Sequence, residues 1–152
     1  MTQQQMLDIF LNQIEQSPNI YYKSSLVLAR PANIDEYIET WTADGLETRN
    51  YAKFGDFVVK NLQTEFQEEY IVSKDAILKR YNLFYFTDKG AVLIPKGKIK
   101  GIVYSGEDFH FIAKWGQLMI VKTGDYLVCP FPDCDEIYRI AQQEFFETYT
   151  KE

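Results

Sequence analysis

His110 is the only histidine in the chain, and it sits in Phe109-His110-Phe111. A lone imidazole beside Asp108 and Glu107 offers a general base in outline. Alternation with aromatics explains it equally as a strand residue facing away from them, and neither a nucleophile elbow nor a metal-binding His pair accompanies it. Cys129-Pro130-Phe131-Pro132-Asp133-Cys134-Asp135-Glu136 is richer. Clustered carboxylate oxygens suit a hard cation, whereas a proline-stiffened loop with three acids suits recognition, or mere connection. Two cysteines complete neither a disulfide framework nor a zinc site. Asp56 and Asp125 invite a reading as paired catalytic carboxylates, but each follows a glycine, and Gly-Asp makes a tight turn into a strand. Lys96, Lys98 and Lys100, with Lys89, interleave with Tyr85, Phe86 and Tyr104 as the one basic-aromatic stretch. That pattern fits nucleotide or nucleic-acid contact, or a charged edge strand that resists aggregation.

The elements that must carry these residues follow from periodicity. Thr2 and Gln5 fit a capping box, and Met6, Leu7, Phe10, Leu11 and Ile14 form one apolar helical stripe up to Ser17-Pro18-Asn19. Tyr21 to Ala29 reads as a strand, and residues 32–39 are ambiguous. Tyr37–Thr42 and Leu46–Tyr51 flank Ala43-Asp44-Gly45 as a hairpin. Further strands fall at 57–59, 70–72, 83–86, 91–94, 102–104, 109–113, 118–122, 126–128 and 137–140. Short helices are expected at 74–81 and 142–149.

The clearest feature is internal. Lys53-Phe54-Gly55-Asp56-Phe57-Val58-Val59 aligns with Lys122-Thr123-Gly124-Asp125-Tyr126-Leu127-Val128. One deletion then matches Glu68 with Glu136, Tyr70 with Tyr138, Val72 with Ile140, Ile77-Leu78 with Phe145-Phe146, and Tyr81 with Tyr149. The expected fold is α+β: mostly antiparallel strands in two related units, with an N-terminal helix over 1–19, units over 20–82 and 83–152, and a short helix closing each. A unit of this size cannot bury enough surface alone, so the two are expected to pack as one body with a cleft at their junction.

This pattern resembles a module of small uncharacterised bacterial and bacteriophage proteins. Those read Pro-Gly-Asp-Trp or Pro-Gly-Asp-Tyr, then a Tyr-containing strand, then a Phe-x-x-x-Tyr-like end. Ala52, Gly55, Asp56, Val59, Tyr70 and Tyr81 carry the resemblance in the first copy. Gly124, Asp125, Tyr126, Val128, Tyr138 and Tyr149 carry it in the second, with Phe54 and Thr123 where the module has Pro. The resemblance implies a phage, prophage or bacterial accessory setting and no particular activity.

Composition narrows the rest. Of 152 residues, 46% are apolar and 16% aromatic, enough for a core with aromatics to spare at a contact surface. The formal charge is −6. Residues 1–50 carry three basic and seven acidic side chains, 51–100 nine and six, and 101–152 four and nine. This balance opposes generic binding along phosphates. No signal-peptide pattern and no membrane-length apolar run is visible, so a cytoplasmic protein with reduced thiols is the default. The sequence favours a non-enzymatic binding protein with a host or bacterial protein partner. Its expected anchors are Trp41, Arg49, Trp115, Asp133, Asp135 and Glu136. The alternative is nucleic-acid binding through Lys96, Lys98 and Lys100, and after it a hydrolase built on His110. No cofactor, metal or membrane partner is expected.

Overall fold

The computed structural model describes all 152 residues. Helix α1 spans Gln3–Gln16. The Thr2 hydroxyl accepts from the Gln5 N–H, and the Thr2 N–H donates to the Gln5 side chain, so the capping box closes. Met6, Phe10 and Ile14 form its buried stripe. There follow β1 (Ile20–Lys23), β2 (Val27–Pro31), β3 (Tyr37–Thr42), β4 (Gly45–Tyr51), β5 (Phe57–Asn61), β6 (Glu69–Val72), α2 (Lys74–Arg80), β7 (Tyr81–Thr87) and β8 (Gly90–Pro95). Then come β9 (Lys98–Val103), β10 (Phe109–Ile112), β11 (Leu118–Val121), β12 (Tyr126–Phe131), β13 (Tyr138–Ile140), α3 (Gln142–Thr148) and β14 (Tyr149–Lys151). The fold is α+β on antiparallel sheets, with a helix at the N-terminus.

The chain forms two compact units: a continuous one, Lys23–Lys96, and a split one made of Met1–Tyr22 with Gly97–Glu152. The boundaries differ from the partition expected at residues 19 and 82. Strand pairing sets them. The hairpin β7–β8 joins β2 in the continuous unit, whereas β1 joins β9 in the split unit. The single strand expected over Tyr21–Ala29 is therefore two strands serving different sheets.

Each unit holds a five-stranded sheet and a separate hairpin. The continuous sheet runs β6-β5-β2-β8-β7, with β3–β4 as its hairpin; the split sheet runs β13-β12-β9-β1-β14, with β10–β11 as its hairpin. The registers correspond. Val59 pairs with Tyr70 and Phe57 with Val72 in one unit, and Val128 with Tyr138 and Tyr126 with Ile140 in the other. The short helix covers the same sheet face in each. In the continuous unit Ile77 packs on Val27, Ala29, Val59 and Leu93. In the split unit Phe145 packs with Ile99, Val128 and Ile140, its ring stacked on Tyr126 with centroids 3.6 Å apart. Full burial of such a side chain contributes about 1.5–3 kcal/mol; Phe145 is buried, and Ile77 partly so.

The Gly-Asp turns are alike in detail. Gly55 and Gly124 have φ of 84° and 93°, values that favour glycine. Asp56 and Asp125 each accept through Oδ2 from the backbone N–H three residues earlier, on Lys53 and Lys122, at 2.8 Å. The units differ on the opposite sheet face. In the split unit α1 lies there, burying Met6, Phe10 and Ile14 against Phe111, Val121, Leu127, Cys129 and Ile137. Cys129 and Cys134 are joined in a disulfide, which corrects the expectation of reduced thiols. Adjacent ends of one short loop bring the two sulfurs together. No helix is long and apolar enough to cross a membrane.

Candidate binding surface

The turn joining β10 to β11 presents Trp115. The Gly116 N–H donates to Ala113 O at 2.8 Å, Gly116 has φ of 91°, and the Ala113 N–H donates to Gln117 O at 2.9 Å. Buried Ala113 roots the turn, while Trp115 remains 59% exposed with its indole N–H donated to Gln117 Oε1 at 3.0 Å. Beside it, Lys114 Nζ donates to Asp135 Oδ2 at 3.0 Å. That hydrogen bond, the Asp135 charge and the nearby charge of Glu136 hold the lysine pKa above its ordinary value.

Two further ties fix the acidic loop. The disulfide closes Cys129 onto Cys134, and the Cys134 N–H donates to Pro130 O at 2.7 Å. Gln3, on α1, reaches both sides of the site: its Nε2 donates to Ile112 O at 3.1 Å and to Ile137 O at 3.0 Å, and its Oε1 accepts from the Ile137 N–H at 2.7 Å. One side-chain amide thereby joins the end of β10 to the end of the acidic loop. Asp133 and Asp135 are exposed, and Glu136 is partly so. The turn that exposes the Trp115 indole is thus tied through Lys114 to Asp135 of a loop carrying three carboxylates.

Trp41 and Arg49 belong to the continuous unit. Trp41, 50% exposed, pairs with Leu46 beside a bulge that leaves Glu47 of β4 unpaired in the register, and Arg49 reaches Glu39 at 3.7 Å across the hairpin. The chain's two tryptophans thus occupy corresponding hairpins, one per unit. The basic stretch does not present three free charges. Lys98 pairs with Glu152 at 2.8 Å, and Lys100 donates to Glu15 O at 2.9 Å and lies 5.7 Å over the Phe131 ring. Lys96 is exposed.

His110 is an exposed residue of β10 opposite Ile120. Asp108, its proposed partner, instead accepts from the Thr123 N–H at 3.1 Å. No group of three or more His, Cys, Asp or Glu side chains is arranged to hold a metal. The continuous unit has a shallow pocket of about 510 Å3 lined by Pro31–Ile34 and Phe54–Phe57. Its one ionisable group, Asp56, is committed to the turn.

Compared with protein-family models, curated proteins and solved structures, the chain matches none.

Proposed function

We propose that this is a non-enzymatic binding protein whose partner is another protein bearing a basic, partly apolar surface. One observation carries the reading: Trp115 stands exposed next to Lys114, whose ammonium pairs with Asp135 of the acidic loop, and Gln3 ties the ends of β10 and of that loop together. An indole already held in place loses little freedom on binding, which is what a hot-spot anchor requires. The acidic rim speeds encounter with a basic partner and repels phosphate. Nucleic-acid binding through Lys96, Lys98 and Lys100 is less supported, since two of the three are engaged within the chain. The shared element order of the two units supports reading them as copies of one element. The resemblance to bacterial and phage modules supplies the setting, a phage or prophage accessory factor that engages a host protein.

Affinity capture from a bacterial lysate, with and without nuclease, tests this. The expected result is a nuclease-resistant protein that Trp115→Ala and Asp135→Lys variants fail to retain. Recovery of nucleic acid alone, abolished by replacing the three lysines with Glu, overturns it.

A further inference from the structure

Strand β7 is an edge of the continuous unit's sheet, bonded to β8 alone. Its sequence, Tyr81-Asn82-Leu83-Phe84-Tyr85-Phe86-Thr87, carries no charge. Leu83 is 54% exposed, Phe84 58%, Tyr85 48% and Phe86 74%. A register shift between Leu83 and Tyr85 marks a bulge. Neighbouring residues on a regular strand point to opposite faces, yet the Phe84 and Tyr85 rings lie 5.2 Å apart, so the bulge turns both to one side. Leu83 and Phe86 pair with Leu93 and Ala91, residues of the face covered by α2, where Leu78 is also exposed. Both faces of this edge are therefore apolar and open.

The other three edges of the two five-stranded sheets carry the usual protection against edge pairing. They are short, and each includes a charge: Glu69 in β6, Arg139 in β13 and Lys151 in β14. β7 is longer and carries no charge; the bulge at Phe84 is its one such device.

We propose that β7 is the dimer interface of this protein, pairing antiparallel with β7 of a second copy about a two-fold axis at Phe84. Two arguments select a second copy. The first is charge. A pair centred on Phe84 sets Arg80 opposite the partner's Asp88, and by symmetry Asp88 opposite its Arg80. Both residues are exposed and flank the strand, Arg80 as the last residue of α2 and Asp88 in the turn after β7, and nothing between them opposes like charges. The second is area. At about 200 Å2 per large side chain, the exposed parts of residues 83–86 supply roughly 450 Å2 per protomer. The pair then removes at most about 900 Å2 from these four residues, and the flanks add to it, against the ~1,000 Å2 of a specific interface.

Sedimentation equilibrium on the full chain tests it. The expected result is a reversible dimer that Tyr85→Lys dissociates without loss of the circular dichroism signal. Arg80→Glu or Asp88→Arg alone is expected to weaken the dimer about tenfold, and the double variant to recover it to within about threefold. Hydrogen exchange supplies a second reading: protection of residues 83–86 falls on dilution. A chain that stays monomeric at its highest soluble concentration overturns the proposal. So does a dimer indifferent to Tyr85→Lys, a double variant that fails to recover, or a monomer that takes up a foreign extended peptide along β7.

Discussion

Arg139 closes on Asp125 from 3.0 Å through Nε and 2.8 Å through Nη2, with both side chains 6% exposed. The same Oδ2 accepts the Lys122 N–H, so one buried oxygen anchors both the Gly-Asp turn and β13. In the continuous unit Ile71 stands at the register position of Arg139, and Asp56 makes its turn bond without a guanidinium. Removing one member of a buried pair strands the other charge and costs about 3–5 kcal/mol. Losing one neutral-donor turn bond costs about 1 kcal/mol. Asp125→Ala is therefore expected to destabilise far more than Asp56→Ala in urea unfolding. Equal losses would contradict the assignment.

Acid should act on a different pair. Arg30 holds Glu36 through two bonds, 3.0 Å and 2.6 Å, and the Asn33 N–H adds a third at 3.1 Å. These bonds, the Arg30 bond foremost, lower the Glu36 pKa from 4.5 to about 2. A carboxylate with a lowered folded pKa contributes stability above its unfolded value and loses it as protons bind. The contribution is present above pH 4.5 and disappears as pH falls toward 2. The pair is partly exposed, so about 1 kcal/mol is at stake. Unfolding free energy measured across that window should fall less steeply in Glu36→Gln than in the parent.

Glycines in two hairpin turns make a graded pair. A Cβ on Gly90, at φ 147°, would lie 2.4 Å from Ala29 O, a backbone atom on the neighbouring strand that cannot swing away. A Cβ on Gly45, at φ 100°, meets nothing within 4 Å. Gly45→Ala should cost about 1–2 kcal/mol of backbone strain, and Gly90→Ala at least about 3 kcal/mol because strain and collision add. Thermal unfolding of the two variants ranks them directly, and the reverse order would refute this account.

Local signals in the sequence marked what local structure decides. The Thr2–Gln5 box and the Met6–Phe10–Ile14 stripe gave α1 its start and its buried face. Asp44-Gly45 gave the β3–β4 hairpin, and the two Gly-Asp pairs gave both turns. What depends on distant partners stayed hidden. Tyr21–Ala29 has uniform strand character, so its composition could not show that β1 and β2 join different sheets. Trp115 and the acidic loop were readable as residue types. The contacts that brace them were not, because Gln3 meets its partners 109 and 134 residues away. Arg139 offered one missed clue: a basic residue in a strand otherwise apolar at that register calls for a buried counter-charge. The basic stretch looked stronger in sequence than in structure, since Glu15 and Glu152 lie far from Lys98 and Lys100 along the chain.

The Cys129–Cys134 bond offers the sharpest test of how the acidic loop is held. Both residues are buried in the core under α1, and they lie five positions apart. A closed loop this short restrains the unfolded chain only modestly, by about 2 kcal/mol in the chain-entropy picture. Reducing the parent removes the bond alone, and stability should then fall by about 2 kcal/mol. Replacing both cysteines with Ala also deletes two buried sulfur atoms and should cost more, by the packing they lose. Exchange protection at the Cys134 N–H, now bonded to Pro130 O, should drop with the bond. The Ile137 N–H should stay protected, because Gln3 Oε1 rather than the disulfide holds it. This contrast separates the two braces: if both amides lose protection together, the loop is held by one device and the independent role of Gln3 fails. A double variant as stable as the parent, with the Cys134 amide still protected, would show that packing under α1 holds the loop without the bond.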